Sequence, residues 1–244
     1  EEFRVGDIVV KKGDIITIDG STGEVFLGEV PLIEPRITGE FEELLKWADE
    51  IRVIGVRANA DTPEDAKKAL DYGAEGIGLA RTEHMFLGPE RVQVVREMVM
   101  ARTAEERKKA LEKLIPLQKN DFKELLKVMD GKPVIIRLLD PPLHEFLPRY
   151  EQLLKEIYDL VLKIREAESV TEASKLLDEL EEKRKILRRL EELKEANPML
   201  GLRVCRLGIV YPEIYEAQLR ALFTAVAELI NEGYNPKPEV MIPG

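Results

Sequence analysis

The strongest constraint in this chain is an alternation of short apolar runs with amphipathic helical stretches. The runs lie near residues 52–57, 76–80, 133–138, 202–206 and 239–242, and all are strand-length. Helix signals stand between them. Thr62-Pro63-Glu64-Asp65 offers Thr62 as N-cap and Pro63 at the first helical position, and Thr103 precedes Ala104-Glu105-Glu106. Residues 89–129 hold two or three amphipathic helices. Strand and helix in repetition make βαβ units, which pair their strands in parallel. The expectation is an α/β fold with about five βα units over residues 51–244.

One connection is much longer than the rest. Residues 149–196 are dominated by Glu, Lys, Leu and Arg. Leu153, Ile157, Leu160, Val161 and Ile164 keep helical spacing, and so do Leu177, Leu180, Ile186, Leu187 and Leu190. This predicts a helical hairpin grafted onto the α/β core, a charged pair that packs or spaces. At the other end, Ile8–Val10, Asp14–Ile18 and Glu24–Leu27 read as strands split by Lys12-Gly13 and by Asp19-Gly20-Ser21-Thr22-Gly23. Three short strands bury little, so residues 1–35 look like the end of a β-rich domain. Pro31 and Pro35 punctuate its exit into a linker. Residues 36–50 read as a linker helix with Phe41, Leu44, Leu45 and Ala48 on one face and Thr38 or Gly39 near its start.

Composition narrows the function classes. The 244 residues carry 37 Lys+Arg against 47 Asp+Glu, a formal charge of −10. An acidic chain without a basic block is not expected to bind nucleic acid or an anionic membrane in general, although local arginine clusters can still bind anions. A single cysteine excludes an internal disulfide framework and a cysteine-rich zinc site, which fits the cytoplasm. No apolar run reaches membrane-span length, and the opening EEFRVGD does not read as a signal peptide.

Arginine recurs where the apolar runs stop: Arg57 after the first, Arg81 after the second, Arg137 in the third, Arg203 and Arg206 in the fourth. In a βα-barrel those strand ends form the active-site face. Each arginine alone reads best as half of an ion pair; as a set they suggest a cup for a substrate bearing phosphate and carboxylate. Asp140-Pro141-Pro142 sets a rigid loop before His144 and Glu145, for which a structural corner is an equally good reading. His84 and His144 are the only histidines. No spacing suggests a metal site, and no glycine-rich phosphate loop is present. Gly73–Gly78 reads as close helix–strand packing, and Cys205 as a buried, inert strand thiol. Glu83, Asp140 and Glu145 lie just past strand ends, each with an arginine nearby, and read as ion-pair partners, not metal ligands.

Five segments carry a resemblance: Ile16–Glu29 (ITIDGSTGEVFLGE), Gly55–Asp65 (GVRANADTPED), Gly73–Phe86 (GAEGIGLARTEHMF), Ile136–Pro148 (IRLLDPPLHEFLP) and Asn197–Ile209 (NPMLGLRVCRLGI). Together, in this order, they resemble the pyruvate, phosphate dikinase family of phosphoenolpyruvate-utilising enzymes; the charged insert is the least similar part. The resemblance implies part of a (β/α)₈ barrel, preceded by the tail of a swivelling phosphohistidine domain. The implied reaction converts ATP, phosphate and pyruvate to AMP, pyrophosphate and phosphoenolpyruvate. It also implies that Arg57, Arg81 and Arg137 bind the phosphoryl and carboxylate groups of phosphoenolpyruvate or pyruvate. The family's Mg²⁺ ligands and its cysteine acid come from later strands that this sequence does not contain, and its phosphohistidine segment is also missing. No catalytic residue and no metal ligand are therefore assigned here. The chain is expected to be inactive alone, to work with the phosphohistidine domain and to self-associate. The alternatives are a non-catalytic half-barrel module or part of a phosphoenolpyruvate synthase.

Overall fold

The computed structural model describes residues 2–32, 39–88, 91–194, 197 and 200–244. It divides into two compact units, Glu1–Val53 and Ile54–Gly244. Part of the Pro31–Pro35 punctuation, Thr38 and parts of the 197–209 segment lie outside the described residues.

The first unit holds two antiparallel hairpins and a helix. β1 (Glu2–Val5) pairs with β2 (Ile8–Lys11), and β3 (Ile16–Ile18) with β4 (Val25–Leu27). The first residues, not anticipated as a strand, form β1. In the β3–β4 turn the Asp19 carboxylate accepts from the Ser21 N–H at 2.8 Å, and Gly23 takes a left-handed φ of 77° that a side chain would resist. α1 (Glu40–Ile51) starts after Gly39 and buries none of its residues. Val10 is the only buried residue among the described ones of this unit.

The second unit is built on four parallel strands, β5 (Ala58–Asn59), β6 (Ile77–Arg81), β7 (Pro133–Arg137) and β8 (Lys237–Met241), adjacent in that order. The helices are α2 (Pro63–Asp71), α3 (Val92–Met100), α4 (Ala104–Val128), α5 (Tyr150–Glu166), α6 (Val170–Leu193), α7 (Val204–Val210) and α8 (Pro212–Asn231). Both N-caps read from the sequence are present. Thr62 accepts from Asp65 N–H at 3.1 Å, and Thr103 and Glu106 complete a capping box on α4.

Val134, Ile136, Ile77 and Ala80 point to one face, where Ala66 of α2, Phe122 and Leu126 of α4 and Leu222 and Leu229 of α8 bury them. Strand order that follows chain order, with helices on one face, is the singly wound pattern of a barrel wall. The register pairs Ile135 with Glu239 and Arg137 with Met241. Side chains alternate along a strand, so these four share the opposite face, which those helices leave uncovered. α5 and α6 form the helical hairpin and bury Leu153, Leu160, Leu180 and Leu190.

Two strand expectations need correction, so the sheet has four strands where about five βα units were expected. The run at 52–57 is not a strand; the first strand is β5, a few residues later. Val56 is instead held by Glu75, whose carboxylate accepts its N–H at 2.7 Å and whose own N–H donates to the Val56 carbonyl at 2.8 Å. The run at 202–206 turns into α7. Val204 sits at φ 51°, a left-handed conformation rare for a β-branched residue, and donates its N–H to the Asp140 carbonyl at 2.9 Å. The bend redirects the chain from strand to helix. Leu202, Val204, Cys205, Leu207 and Ile209 suit either period, so apolar spacing alone did not discriminate. Cys205 is thus a partly buried helical residue, not a strand thiol.

Candidate functional site

The site lies at the C-terminal ends of β6 and β7. Arg81 and Arg137 close those strands and are register partners, so their side chains leave the same face side by side. Each is held by carboxylates. Asp61, after β5, accepts from the Arg81 backbone N–H at 2.7 Å, from Nε at 2.9 Å and from Nη2 at 2.6 Å. Glu83, from the 3₁₀ turn Thr82–Phe86, bonds Arg137 Nη2 across the strand gap. Asp140 Oδ2 stands 3.2 Å from Arg137 Nη1 and 3.2 Å from Arg203 Nη2. Glu83 thus pairs with the arginine of the neighbouring strand, not with the one nearest in sequence.

Arg57 is placed differently. It precedes β5, so it stands at the start of its strand. Its guanidinium reaches Glu239 on β8, the opposite edge strand, with contacts of 2.9 and 3.2 Å. Its Cβ lies 3.2 Å from where a Cβ on Gly78 would stand, a close approach that favours glycine at that position of β6. Glu239 shares the face of Arg137 but sits two residues below it, about 7 Å along the strand. The open face therefore carries all three arginines: Arg81 and Arg137 adjacent at the rim, Arg57 deeper.

Behind the rim lies a buried polar network. Gln218 of α8, fully buried, accepts the Leu139 N–H and donates to Thr82 Oγ1, both at 2.9 Å; Thr82 Oγ1 in turn donates to the Arg137 carbonyl at 2.9 Å. The Tyr215 hydroxyl stands 2.9 Å from the Leu139 carbonyl and 2.8 Å from that of Val204. Burial, together with the Asp140 charge, pushes the Tyr215 pKa up, so it remains a donor. Arg137 Nε, Glu83 Oε2, Asp140 Oδ1 and His144 Nδ1 are buried without a hydrogen-bond partner.

The sequence pointed to Arg57, Arg81 and Arg137, and noted Arg203 without its role at Asp140. It did not reveal Asp61, Glu239, Gln218 or Tyr215 as parts of this network, because their partners are distant along the chain. His84 stands 3.4 Å from Asp61 Oδ2, and Glu145 is exposed on a 3₁₀ turn. Among the described residues no three His, Cys, Asp or Glu side chains are grouped to hold a metal, and Asp61, Glu83 and Asp140 each engage an arginine. The donor set does not fit a magnesium site.

A family profile described as PEP-utilising enzyme, PEP-binding domain, matches residues 36–244. The chain belongs to the phosphoenolpyruvate-utilising enzymes. It is 54% identical over 241 residues to a pyruvate, phosphate dikinase of Entamoeba histolytica, covering 98% of this chain and 26% of that protein. A chloroplastic pyruvate, phosphate dikinase of Mesembryanthemum crystallinum is 51% identical, with 98% of this chain and 24% of the relative covered. One from Rhizobium meliloti is 47% identical over the whole chain and 25% of its own length. The chain spans about a quarter of the length of these relatives. Among the described residues, no helix is long and apolar enough to cross a membrane.

Proposed function

We propose that this chain supplies part of the phosphoenolpyruvate/pyruvate site of a pyruvate, phosphate dikinase, with Arg57, Arg81 and Arg137 binding the phosphoryl and carboxylate groups. The observation that carries this reading is the register pairing of Arg81 with Arg137 at the C-terminal rim of a parallel sheet. A phosphoryl group in transfer spreads charge over its oxygens, and guanidiniums already fixed by Asp61, Glu83 and Asp140 can meet that charge without reorganising. Arg81 keeps its Nη1 clear of Asp61, with 43% of its side chain exposed, and so presents an open donor at the rim.

On this reading residues 1–35 are the tail of the swivelling phosphohistidine domain and 36–50 a linker helix. Residues 51–244 are the first part of the barrel, with 149–196 as its helical insert. The phosphohistidine domain of the whole enzyme is the partner that brings the phosphoryl group. Mg²⁺ serves the whole enzyme through ligands that these residues do not supply. The chain works in the cytoplasm, as its single cysteine suits, and self-associates through the edge strands β5 and β8. The second reading, a non-catalytic half-barrel module, is favoured by one observation: every arginine of the cup already has a carboxylate partner.

Calorimetric titration of the chain with phosphoenolpyruvate separates the two. Saturable binding, weakened at least tenfold by Arg137→Ala, supports the substrate site; no binding by the unsubstituted chain overturns it. In a whole dikinase the same substitution should cost roughly 3–4 kcal/mol of transition-state stabilisation, the scale of one preorganised donor. With phosphoenolpyruvate, AMP, pyrophosphate and Mg²⁺, this chain should release no pyruvate. Sustained turnover after repurification would refute the need for the residues it lacks.

A further inference from the structure

A second cluster of cations lies away from the strand ends, where the helical hairpin meets the corner between α3 and α4. A cavity of about 360 Å³ there is lined by Met100, Arg102, Glu106, Lys185, Arg188 and Arg189. Lys185, Arg188 and Arg189 fall on one face of α6 by their spacing of three and four residues. Arg102 closes the cavity from the other side. Four cations around one cavity are unusual in a chain whose formal charge is −10.

The carboxylates nearby offset this cluster only in part: Glu106, Glu192 and Glu182 stand against four cations. Glu106, the only acidic lining residue, is committed to the α4 cap: its Oε2 accepts the N–H of Arg102 at 2.9 Å and of Thr103 at 3.3 Å. Glu192 lies between Arg102 and Arg189, 3.0 Å from each. Glu182 pairs with Lys185 at 2.7 Å, but that pair is exposed and therefore weak. Arg188 bonds only the Arg184 carbonyl of its own helix, at 3.4 Å, and has no carboxylate partner among the described residues. Arg189 is the fixed member. Its Nε donates to the Val99 carbonyl at 3.0 Å and its Nη2 to that of Ala101 at 3.4 Å, which anchors α6 to the end of α3. The result is one immobilised guanidinium that shares Glu192 with Arg102, one with no carboxylate partner among the described residues, and two whose pairs are solvent-screened. Guanidinium and ammonium donors grouped around one cavity, with cations in excess of carboxylates, suit an oxyanion such as a phosphoryl group.

We propose that this cavity binds a phosphoryl dianion, either inorganic phosphate or the phosphate of a small phosphorylated molecule, independently of the site at the ends of β6 and β7. The test is a backbone-amide NMR titration of the full chain with inorganic phosphate and, separately, glycerol 3-phosphate, in 150 mM sodium chloride. Amides of residues 100–106 and 184–189 should shift saturably. Replacing Lys185 and Arg188 together by alanine should weaken that binding at least tenfold. Both are exposed, so the unfolding midpoint should stay in place, and shifts produced by phosphoenolpyruvate around residues 81–84 and 137–140 should persist. Tighter binding of glycerol 3-phosphate names a phosphorylated molecule as the ligand, and tighter binding of phosphate names the free ion; both sustain the site. Shifts that do not saturate, that added chloride reproduces, or that survive the double substitution unchanged would overturn it.

Discussion

Replacing Gln218 by methionine probes how the candidate site is held together. The side chain is fully buried, and its amide bridges two segments that share no covalent neighbourhood: the 3₁₀ turn after β6, through Thr82, and the loop after β7, through Leu139. Methionine keeps the volume and removes both hydrogen bonds. The Leu139 N–H is then buried without an acceptor, at a cost of roughly 1–3 kcal/mol. Thr82 still donates to the Arg137 carbonyl and loses only the bond it accepts, which adds about 1 kcal/mol. The expected total is about 2–4 kcal/mol. For a unit of this size each kcal/mol lowers the melting temperature by about 2–4 °C, so a fall of about 5–15 °C should be seen. Urea unfolding should give a lower midpoint at unchanged slope, since the surface exposed on unfolding is the same. Combined with Thr82→Val, the substitution should show a coupling of at least about 0.5 kcal/mol, because both side chains serve one network. A loss below about 0.5 kcal/mol, or strict additivity with Thr82→Val, would refute the idea that Gln218 couples the two arginine-bearing segments.

Three further outcomes rest on the same geometry. Burial pushes Asp61 up, but the hydrogen bonds from the Arg81 side chain and backbone outweigh it, so its pKa lies below the ordinary carboxylate value. Its contribution to stability is therefore complete above the unfolded value of about 3.9 and disappears as pH falls through the lower native one; Asp61→Asn should remove that part of the acid-induced loss in urea midpoints between pH 7 and pH 2. Arg107 and Glu213 form an ion pair at 3% and 6% side-chain exposure, with the Arg107 guanidinium 3.9 Å from the Tyr211 ring centre. Arg107→Met should destabilise by about 3–5 kcal/mol in chemical denaturation, and adding Glu213→Leu should restore most of the loss because no lone charge stays buried. Gly208→Ala would set a Cβ 2.3 Å from Tyr215 Cε2, so it should destabilise by about 1–3 kcal/mol in thermal melts despite the better helix propensity of alanine.

What the sequence revealed depended on how far each decisive contact reached along the chain. The Thr62 and Thr103 caps lie three residues from their partners and were legible at once. The strands at β6, β7 and β8 were legible because apolar density and flanking turns are local. The bend at Val204 was not. It rests on the Asp140 carbonyl, and the Tyr215 hydroxyl from α8 secures the loop beside it, so apolar spacing could equally suit a strand. The edge strand β5 was misplaced for a related reason: Glu75, not a strand ladder, holds Val56.

The arginines show the same limit in sharper form. Their positions after apolar runs were visible, and so was Asp140 as a partner three residues from Arg137, but the other carboxylates were not, because Glu239 lies 182 residues from Arg57 and Glu83 lies 54 from Arg137. A guanidinium on a long flexible stem carries about 2 kcal/mol of rotamer entropy, which a ligand would otherwise have to remove on binding. Asp61, Glu83, Asp140 and Glu239 remove part of it beforehand, while adding negative charge that an incoming anion must outweigh. Asp61 occupies the Nε and Nη2 edge of Arg81 and leaves Nη1 toward the rim. Arg137 is gripped through both terminal nitrogens and keeps a buried Nε with no partner. The two neighbours therefore differ in role: Arg137 is a fixed charge whose position Gln218 and Thr82 secure from behind, and Arg81 is the arm with an open donor. On the proposed reading, an anion settling between them would gain from the first through field and from the second through direct hydrogen bonding. Neither contribution is available until β6 and β7 pair with their last residues in register.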